Sequence, residues 1–353
     1  MSLPRIWMSC HFPGTFMHIN ALADTQCYEV FASHHSARTP YLQEENFLTH
    51  PDVIRFQEPF FQDDEDYVNW CLSYCQEYQI TLFIPGRARE RMVARRQAFN
   101  AIGTEVMVAA SARTLKILNN KIKFLEAIQD LDVPIAPWRS FTNRESFNRA
   151  WRALGSGKTM SLCVKPAVGI YGSGFWRVTR QKSYLHNFGR LMIDVASFRQ
   201  RLGFKVRKPW LLMAYCEGVE RSIDCIAYKG KLIAALIRRK EKYGQVVEEN
   251  TTLIRYVKTL LAHFKLSGMI NIQFKDCGGK PCILEINARA SGGSIMAYQA
   301  GFNILPLAVE AWLNHGKTTA HSIKTGFSIA RTHYYYSLPL IQEAERAFDE
   351  SSG

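Results

Sequence analysis

The stretch that most constrains this chain is Ile283-Leu284-Glu285-Ile286-Asn287-Ala288-Arg289-Ala290-Ser291-Gly292-Gly293-Ser294. An apolar run places a carboxylate, an amide and a guanidinium at alternate positions, then breaks into a loop of small residues. On an extended strand, side chains at i, i+2 and i+4 leave on one side. Glu285, Asn287 and Arg289 therefore share a face. Such a face belongs either to an edge strand open to water or to a polar cleft. Two oxygen ligands beside a fixed cation suit Mg²⁺ bridging phosphate oxygens, and the rest of the chain favours the cleft.

With 353 residues, 47% of them hydrophobic, the chain can form two or three packed subdomains around a sizeable core. No apolar run has the length of a membrane span, and Met1-Ser2-Leu3-Pro4-Arg5 lacks the apolar core of a signal peptide. Nine cysteines lie scattered without CxxC pairs. They read as reduced core thiols of a cytoplasmic protein, with Cys71 and Cys75 on one side of a buried helix. The net charge of +13 comes from Lys and Arg spread over the whole length. The densest group, Arg87 to Arg96, has the spacing of a solvated helix face. A nucleoside triphosphate or other anionic substrate accounts for the surplus better than a nucleic-acid surface does.

The first ~110 residues alternate apolar runs with amphipathic segments, the pattern of a parallel α/β sheet. Strands are expected at Arg5–Cys10, Cys27–Ala32, Ile80–Ile84 and Glu105–Ala110. Helices are expected at Asp64–Glu77 and Arg87–Ile102, the second closed by Gly103. The first strand-to-helix turn carries no GxGxxG, which argues against a dinucleotide site there. Beyond Ser111 the pattern turns antiparallel. A helix is expected at Lys121–Asp130, then strands at Met160–Lys165, Gly174–Val178, Lys208–Tyr215, Arg221–Tyr228 and Leu232–Arg238. A helix at Arg255–Phe264 precedes a hairpin of Met269–Lys275 with Pro281–Asn287. Ile295–Leu313 is read as helical with a break near Pro306.

Gly169-Ile170-Tyr171-Gly172-Ser173-Gly174 lies between two strands, just after Val164-Lys165-Pro166. Glycines let backbone N–H groups approach phosphate oxygens, so this loop reads as a phosphate-covering flap with its own cation. Ser156-Gly157-Lys158-Thr159 only mimics a Walker loop, because Arg152 stands where the required glycine should be. Leu211 to Gly218 offers an extended backbone beside an apolar slot, able to read an adenine edge. Glu220 then stands near ribose or metal.

In this order the elements resemble the ATP-grasp ligases, above all the synthetase domains of carbamoyl-phosphate synthetase large chains. The resemblance rests on Asn120-Lys121, Val164-Lys165-Pro166, the glycine loop, Tyr215 to Gly218, Gln273, Glu285-x-Asn287-x-Arg289 and Gly301-Phe302, over roughly residues 75 to 313. It implies an α/β ATP-grasp fold. Its parts would be a Rossmann-like domain (1–112), a small lobe with the flap (113–208), a core lobe with the metal site (209–315) and a C-terminal tail packed on the core (316–353). By resemblance, Lys121, Lys165, Gly169, Gly172, Ser173 and Gly174 hold the ATP phosphates. Met213, Ala214, Tyr215, Cys216 and Glu220 hold the nucleoside. Gln273, Glu285 and Asn287 bind two Mg²⁺, with Mn²⁺ as a substitute, and Arg289 stabilises the transferred phosphoryl group. Met213 and Ala214 replace polar hinge residues of many relatives, which leaves adenine to the backbone.

The chemistry implied is ATP-dependent activation of a carboxylate as an acyl phosphate, followed by attack of an amine, with ADP formed. Positioning and electrostatics suffice for it, and no protein nucleophile is required. His34-His35 accordingly reads as loop material. The alternatives are carboxyphosphate or carbamoyl chemistry on bicarbonate, and a nucleotide-binding regulator that does not turn over. The retained set Lys121, Lys165, Glu285, Asn287 and Arg289 argues against the regulator. The expected partners are small carboxylate and amine substrates, with a homodimer left open.

The metal reading also fixes a register. Gln273 and Glu285 must lie opposite one another, yet a two-residue Gly278-Gly279 turn in a regular ladder pairs Gln273 with Leu284. One residue of slip reverses the face. An odd loop or a compensating bulge is therefore required.

Overall fold

The computed structural model describes residues 2–10, 15–35, 50–169, 174–180, 192–202, 208–242, 244–319, 325–326 and 328–329. Its N-terminal part comprises β1 (Arg5–Cys10), α1 (Thr15–Ala23), β2 (Glu29–His35), β3 (Ile54–Glu58), α2 (Asp64–Glu77), β4 (Leu82–Ile84), α3 (Arg89–Ala94), α4 (Arg96–Ala101) and β5 (Glu105–Val106). The five strands form a parallel sheet in the order β3-β2-β1-β4-β5. α2 starts where expected, because Asp63 caps it and three acids in its first turn suit the helix dipole. Trp7 stacks on Phe83 at 4.1 Å beneath it, and Cys71 and Cys75 are both buried.

Three expectations need correction here. Arg87–Ile102 is two short helices, divided at Arg95, whose φ and ψ of −97° and 11° leave the helical region. Only Glu105 and Val106 of the expected strand to Ala110 pair with a neighbour. His34 lies on β2 rather than in a loop.

Two helices, α5 (Ala112–Leu118) and α6 (Lys121–Ile128), lead into the small lobe. That lobe holds β6 (Trp138–Phe141), α7 (Arg144–Ala153), β7 (Leu162–Pro166), β8 (Trp176–Thr179), β9 (Met192–Asp194), α8 (Val195–Arg201) and β10 (Trp210–Ala214). Its sheet runs β6-β10-β7-β8-β9. β10, placed with the core lobe by the sequence, is thus an interior strand of the small lobe. Alternation splits the strands: Leu162, Val164 and Leu212 face a core with Phe147, Trp151 and Phe198 of the two helices. Cys163, Lys165 and Met213 face the other way, into a cleft.

The core lobe is built from β11 (Glu220–Tyr228), β12 (Lys231–Glu241), β13 (Gly244–Glu248), α9 (Thr251–Phe264), β14 (Gly268–Cys277), β15 (Lys280–Asn287), α10 (Ser294–Gln299), α11 (Ile304–Leu313) and β16 (Ser328–Ile329). Its six strands run β15-β14-β11-β12-β13-β16. One face of the sheet, with Ile223, Ile272, Phe274 and Ile283, packs under Leu253, Val257 and Leu261 of α9. The other face is apolar only at one end, where Ile226 and Met269 share a core with Leu305 and Leu307. The break in the last helical stretch falls at Ala300–Asn303, ahead of Pro306. Pro306 sits in the first turn of α11, where its missing N–H costs nothing. Within the expected tail, Ser328–Ile329 pairs with β13; residues 330–353 lie outside the described set.

Candidate active site

At its other end the second face of the core sheet is polar across four strands. Register places Lys240, Glu220 and Lys275 in one row. Arg238, Ser222, Gln273 and Glu285 form the next, and Asp224, Asn271 and Asn287 a third. The hairpin achieves this as required. Gly278 and Gly279, at φ of 59° and 78°, make a two-residue turn that pairs Cys277 with Lys280 and Phe274 with Ile283. The register then shifts, and Gln273 faces Glu285. Leu284 is the extra residue of this bulge. It joins Glu285 on the cleft side while Ile283 and Ile286 stay buried.

The amides are oriented for a cation. Asn287 Nδ2 donates to Glu285 Oε1 at 3.1 Å and to Asn271 Oδ1 at 3.4 Å. Gln273 Nε2 donates to Asn271 Oδ1 at 3.3 Å. Each amide spends its N–H groups on neighbours, which leaves its oxygen for a metal. One carboxylate and two amide oxygens are a hard-ligand set suited to Mg²⁺ with phosphate as co-ligand. Among the described residues no cluster of three or more His, Cys, Asp or Glu exists that would serve as a self-sufficient metal site.

These groups open onto a cleft of about 650 Å³ between the lobes. Five cationic side chains line it (Lys121, Lys165, Lys240, Lys275 and Arg289) against two carboxylates, Glu220 and Glu285. The imbalance suits a polyanion such as a triphosphate. Lys121 begins α6 and donates to the Gly169 carbonyl at 2.9 Å, at the root of the glycine loop. Burial pulls its pKa down, Glu285 opposes this, and Lys165 adds to it. Gly169 lines the cleft; Gly172 and Ser173 lie outside the described residues, and Gly174 is the first described residue after them.

Met213, Ala214, Tyr215 and Cys216 line the opposite wall. The N–H of Ala214 is held by the Pro137 carbonyl and that of Tyr215 by Ser161, both at 2.8 Å. Neither is left for a ligand, so hinge donors begin at Cys216. Burial pushes the Cys163 thiol up to about 11 and the Cys216 thiol to about 12. Both stay protonated at neutral pH, which removes them as nucleophiles. Glu220 pairs with Lys240 and, at 3.8 Å, with Lys275.

Sequence reading missed four groups. Lys275 and Lys240 share the face of Gln273 by simple alternation, a signal present in Asn271-x-Gln273-x-Lys275. Arg238 is 1% exposed, bonds the equally buried Asp224 at 2.7 Å, and reaches Ser291 at 3.1 Å. It thus pins the loop after β15. Arg89 is the fourth. It is no part of a solvated face: its Nη1 donates to the Ala288 carbonyl at 3.0 Å. Burial, then the charge of Arg289, lowers its pKa to about 10. Arg87, Arg91 and Arg95 do lie outside, paired with Asp64 and Glu65.

Comparison with known proteins bears on the fold. Residues 206–334 match the family model described as ATP-grasp in the biosynthetic pathway with Ter operon. Carbamoyl phosphate synthase large chain of Clostridium acetobutylicum is 23% identical over 220 residues, covering 58% of this chain. This chain spans about a fifth (19%) of that relative's length. Among solved structures, an ADP complex of N5-carboxyaminoimidazole ribonucleotide synthetase superposes with a TM-score of 0.64 at 15% identity, covering 92% of this chain and 80% of the other. The biotin carboxylase domain of Hydrogenobacter thermophilus 2-oxoglutarate carboxylase, bound to MgADP and bicarbonate, also gives 0.64, at 12% identity and coverage of 91% and 72%. L-amino acid ligase from Bacillus licheniformis gives 0.57 at 15% identity, covering 87% and 73%. The fold is that of the ATP-grasp superfamily.

Proposed function

We propose that this protein is an ADP-forming carboxylate–amine ligase. The observation that carries the reading is one cleft in which Lys121, Lys165 and Arg289 converge on the oxygen set of Gln273, Glu285 and Asn287. When bound, Mg²⁺ supplies charge neutralisation of the ATP phosphates; two ions fit the number of oxygens offered. Lys121 and Lys165 hold the phosphates, with Gly169 at the root of the covering loop. Cys216 and the residues after it meet the adenine edge, and Glu220 the ribose. Arg289 offsets charge on the phosphoryl group in flight. Arg89 holds the backbone just before Arg289, at Ala288, and Arg238 holds the loop just after it, at Ser291, and together they keep its guanidinium in place.

A second reading is carboxyphosphate formation from bicarbonate. The solved 2-oxoglutarate carboxylase domain, which carries bicarbonate and MgADP on this fold, favours it. Both readings share the acyl-phosphate step and differ in the size of the carboxylate. ADP release should be screened against pools of amino acids, small acids and bicarbonate. The active carboxylate is then supplied with ¹⁸O. Ligase chemistry delivers one ¹⁸O to the released phosphate. Phosphate free of ¹⁸O, or no pool that stimulates ADP release, would refute acyl-phosphate formation.

A further inference from the structure

The positive charge of this chain is concentrated in one stretch of the sequence, the stretch that forms the small lobe. From β6 to β10, residues 138–214 contain 15 of the 44 Lys and Arg but only 2 of the 31 Asp and Glu. The remaining 276 residues hold 29 of each and are neutral. The whole surplus of 13 therefore belongs to the small lobe. Lys165 and Arg177 serve the cleft wall, but α7 and α8 cover the opposite side of the sheet, since Phe147, Trp151 and Phe198 pack against it from there. An ATP molecule in the cleft accounts for none of the charge on that outer side.

Arg144, Asn148 and Arg152 lie four residues apart on α7 and form one stripe. Together with Arg199 of α8 they line a concavity of about 390 Å³. Among the described residues no acid faces it and none of its three arginines has an ion pair; the acids of these helices are engaged elsewhere. Glu145 pairs with Arg149, and Asp194 caps α8. Arg199 Nε and Asn148 Oδ1 are buried and without a partner. Leaving such groups unsatisfied is costly unless a ligand completes them.

We propose that the outer helical face of the small lobe binds the phosphodiester backbone of a nucleic acid, seated in the Arg144–Arg152–Arg199 concavity. Three guanidiniums present planar donors matched to phosphate oxygens. Ten of the lobe's 15 cations are arginine, the side chain that phosphate recognition uses. Arg139, in register with the helix-facing Leu212, and Arg201 of α8 carry charge past the concavity on the same side, which suits a polymer better than one compact anion. Asn148 Oδ1 can accept a hydroxyl, such as a ribose 2′-OH.

The test is fluorescence anisotropy of the full chain with a labelled single-stranded RNA of about 20 nucleotides, long enough to span one lobe. Affinity should fall steeply with salt, and R144E/R152E/R199E should weaken it by about tenfold or more. K258E/K280E/K317E, which reverses three exposed charges elsewhere, should leave it unchanged. Thermal midpoint and affinity for a Mg²⁺–ATP analogue should stay as in wild type in both variants. If the triple variant melts early, R152E alone, at an exposed position, should still weaken binding by about threefold. DNA of equal length separates the sources: equal binding assigns the site to phosphate alone, and preference for RNA adds the 2′-OH. The proposal fails if R144E/R152E/R199E binds as wild type does, or if the control weakens binding equally. It fails too if polyglutamate of matched charge displaces the RNA as well as unlabelled RNA does, which would mark a surface for an acidic protein.

Discussion

The six-stranded sheet of the core lobe and the five-stranded sheet of the small lobe face each other across the cleft, each backed by helices, and they treat charge in opposite ways. In the core lobe nearly every cation near the sheet is answered. Arg238 meets Asp224, Arg221 meets Glu248 and Asp276, and Lys240 meets Glu220. The small-lobe segment 138–214 sets 15 cations against two acids of its own, with Glu217 just beyond it answering Arg177. Paired charges in a sheet interior hold geometry: they fix the three polar rows that aim Gln273, Glu285 and Asn287. Unanswered charges await an anion that arrives from solution. One lobe is therefore an aligned frame and the other an attracting surface.

The largest expected effect lies in the frame. Glu285→Ala removes the one carboxylate among the three metal-facing groups and should cut ATP turnover by about 10³-fold. Its thermal midpoint should stay within a few degrees, since the side chain faces the cleft. Turnover at the wild-type rate in an ADP-release assay would remove Glu285 from the site. Next comes the buried pair. Arg238→Met leaves Asp224 charged at 0% exposure and should cost about 3–5 kcal/mol in urea unfolding. Adding Asp224→Asn should recover much of that loss, whereas purely additive losses would show that the pair is not coupled.

The joint between the N-terminal sheet and the frame should respond to acid. His18 of α1 is 6% exposed and bonds Ser294 Oγ at 2.8 Å. Burial lowers its pKa from 6.5 to about 4, against the opposing charge of Asp224. The unfolded chain then binds a proton that the folded chain refuses. Stability is present above pH 6.5 and falls as pH drops through the window from 6.5 to 4, by about 3 kcal/mol in all. His18→Gln keeps a donor toward Ser294 and should flatten this acid slope; an unchanged slope would place the titration elsewhere. The smallest effect belongs to the attracting side of the cleft. Lys165→Ala should weaken binding of Mg²⁺–ATP by about tenfold, or about 1.4 kcal/mol by calorimetry, and unchanged affinity would take Lys165 off the phosphates.

How legible these features were in the sequence depended on how local their causes are. The β14–β15 hairpin was readable because period-two alternation and a Gly-Gly turn are short-range signals. The need for a bulge followed from counting alone, and Leu284 supplies it. The helices starting at Asp64 and Lys121 were readable from local pattern too, and Asp63 and Asn120 cap them. Arg238 was read only as the last residue of a strand, which continues through the charged stretch to Glu241. Only the pairing of β11 with β12 sets alternate members of that run against Glu220 and Ser222. Arg89 meets Ala288 across 199 residues, a contact that only packing of the two regions creates. The basic segment 138–214 was countable in the sequence; what the fold adds is the side of the sheet, because α7 and α8 turn Arg144, Arg152 and Arg199 away from the cleft.

Binding of Mn²⁺ in the presence of a non-hydrolysable ATP analogue, followed by electron paramagnetic resonance, tests the frame most directly. Wild type should bind two Mn²⁺ per chain only when the analogue is present, and Glu285→Gln should lose that binding while still folding. Undiminished nucleotide-dependent Mn²⁺ binding by Glu285→Gln would contradict the proposed metal site, and with it the proposed activation of a carboxylate in this cleft.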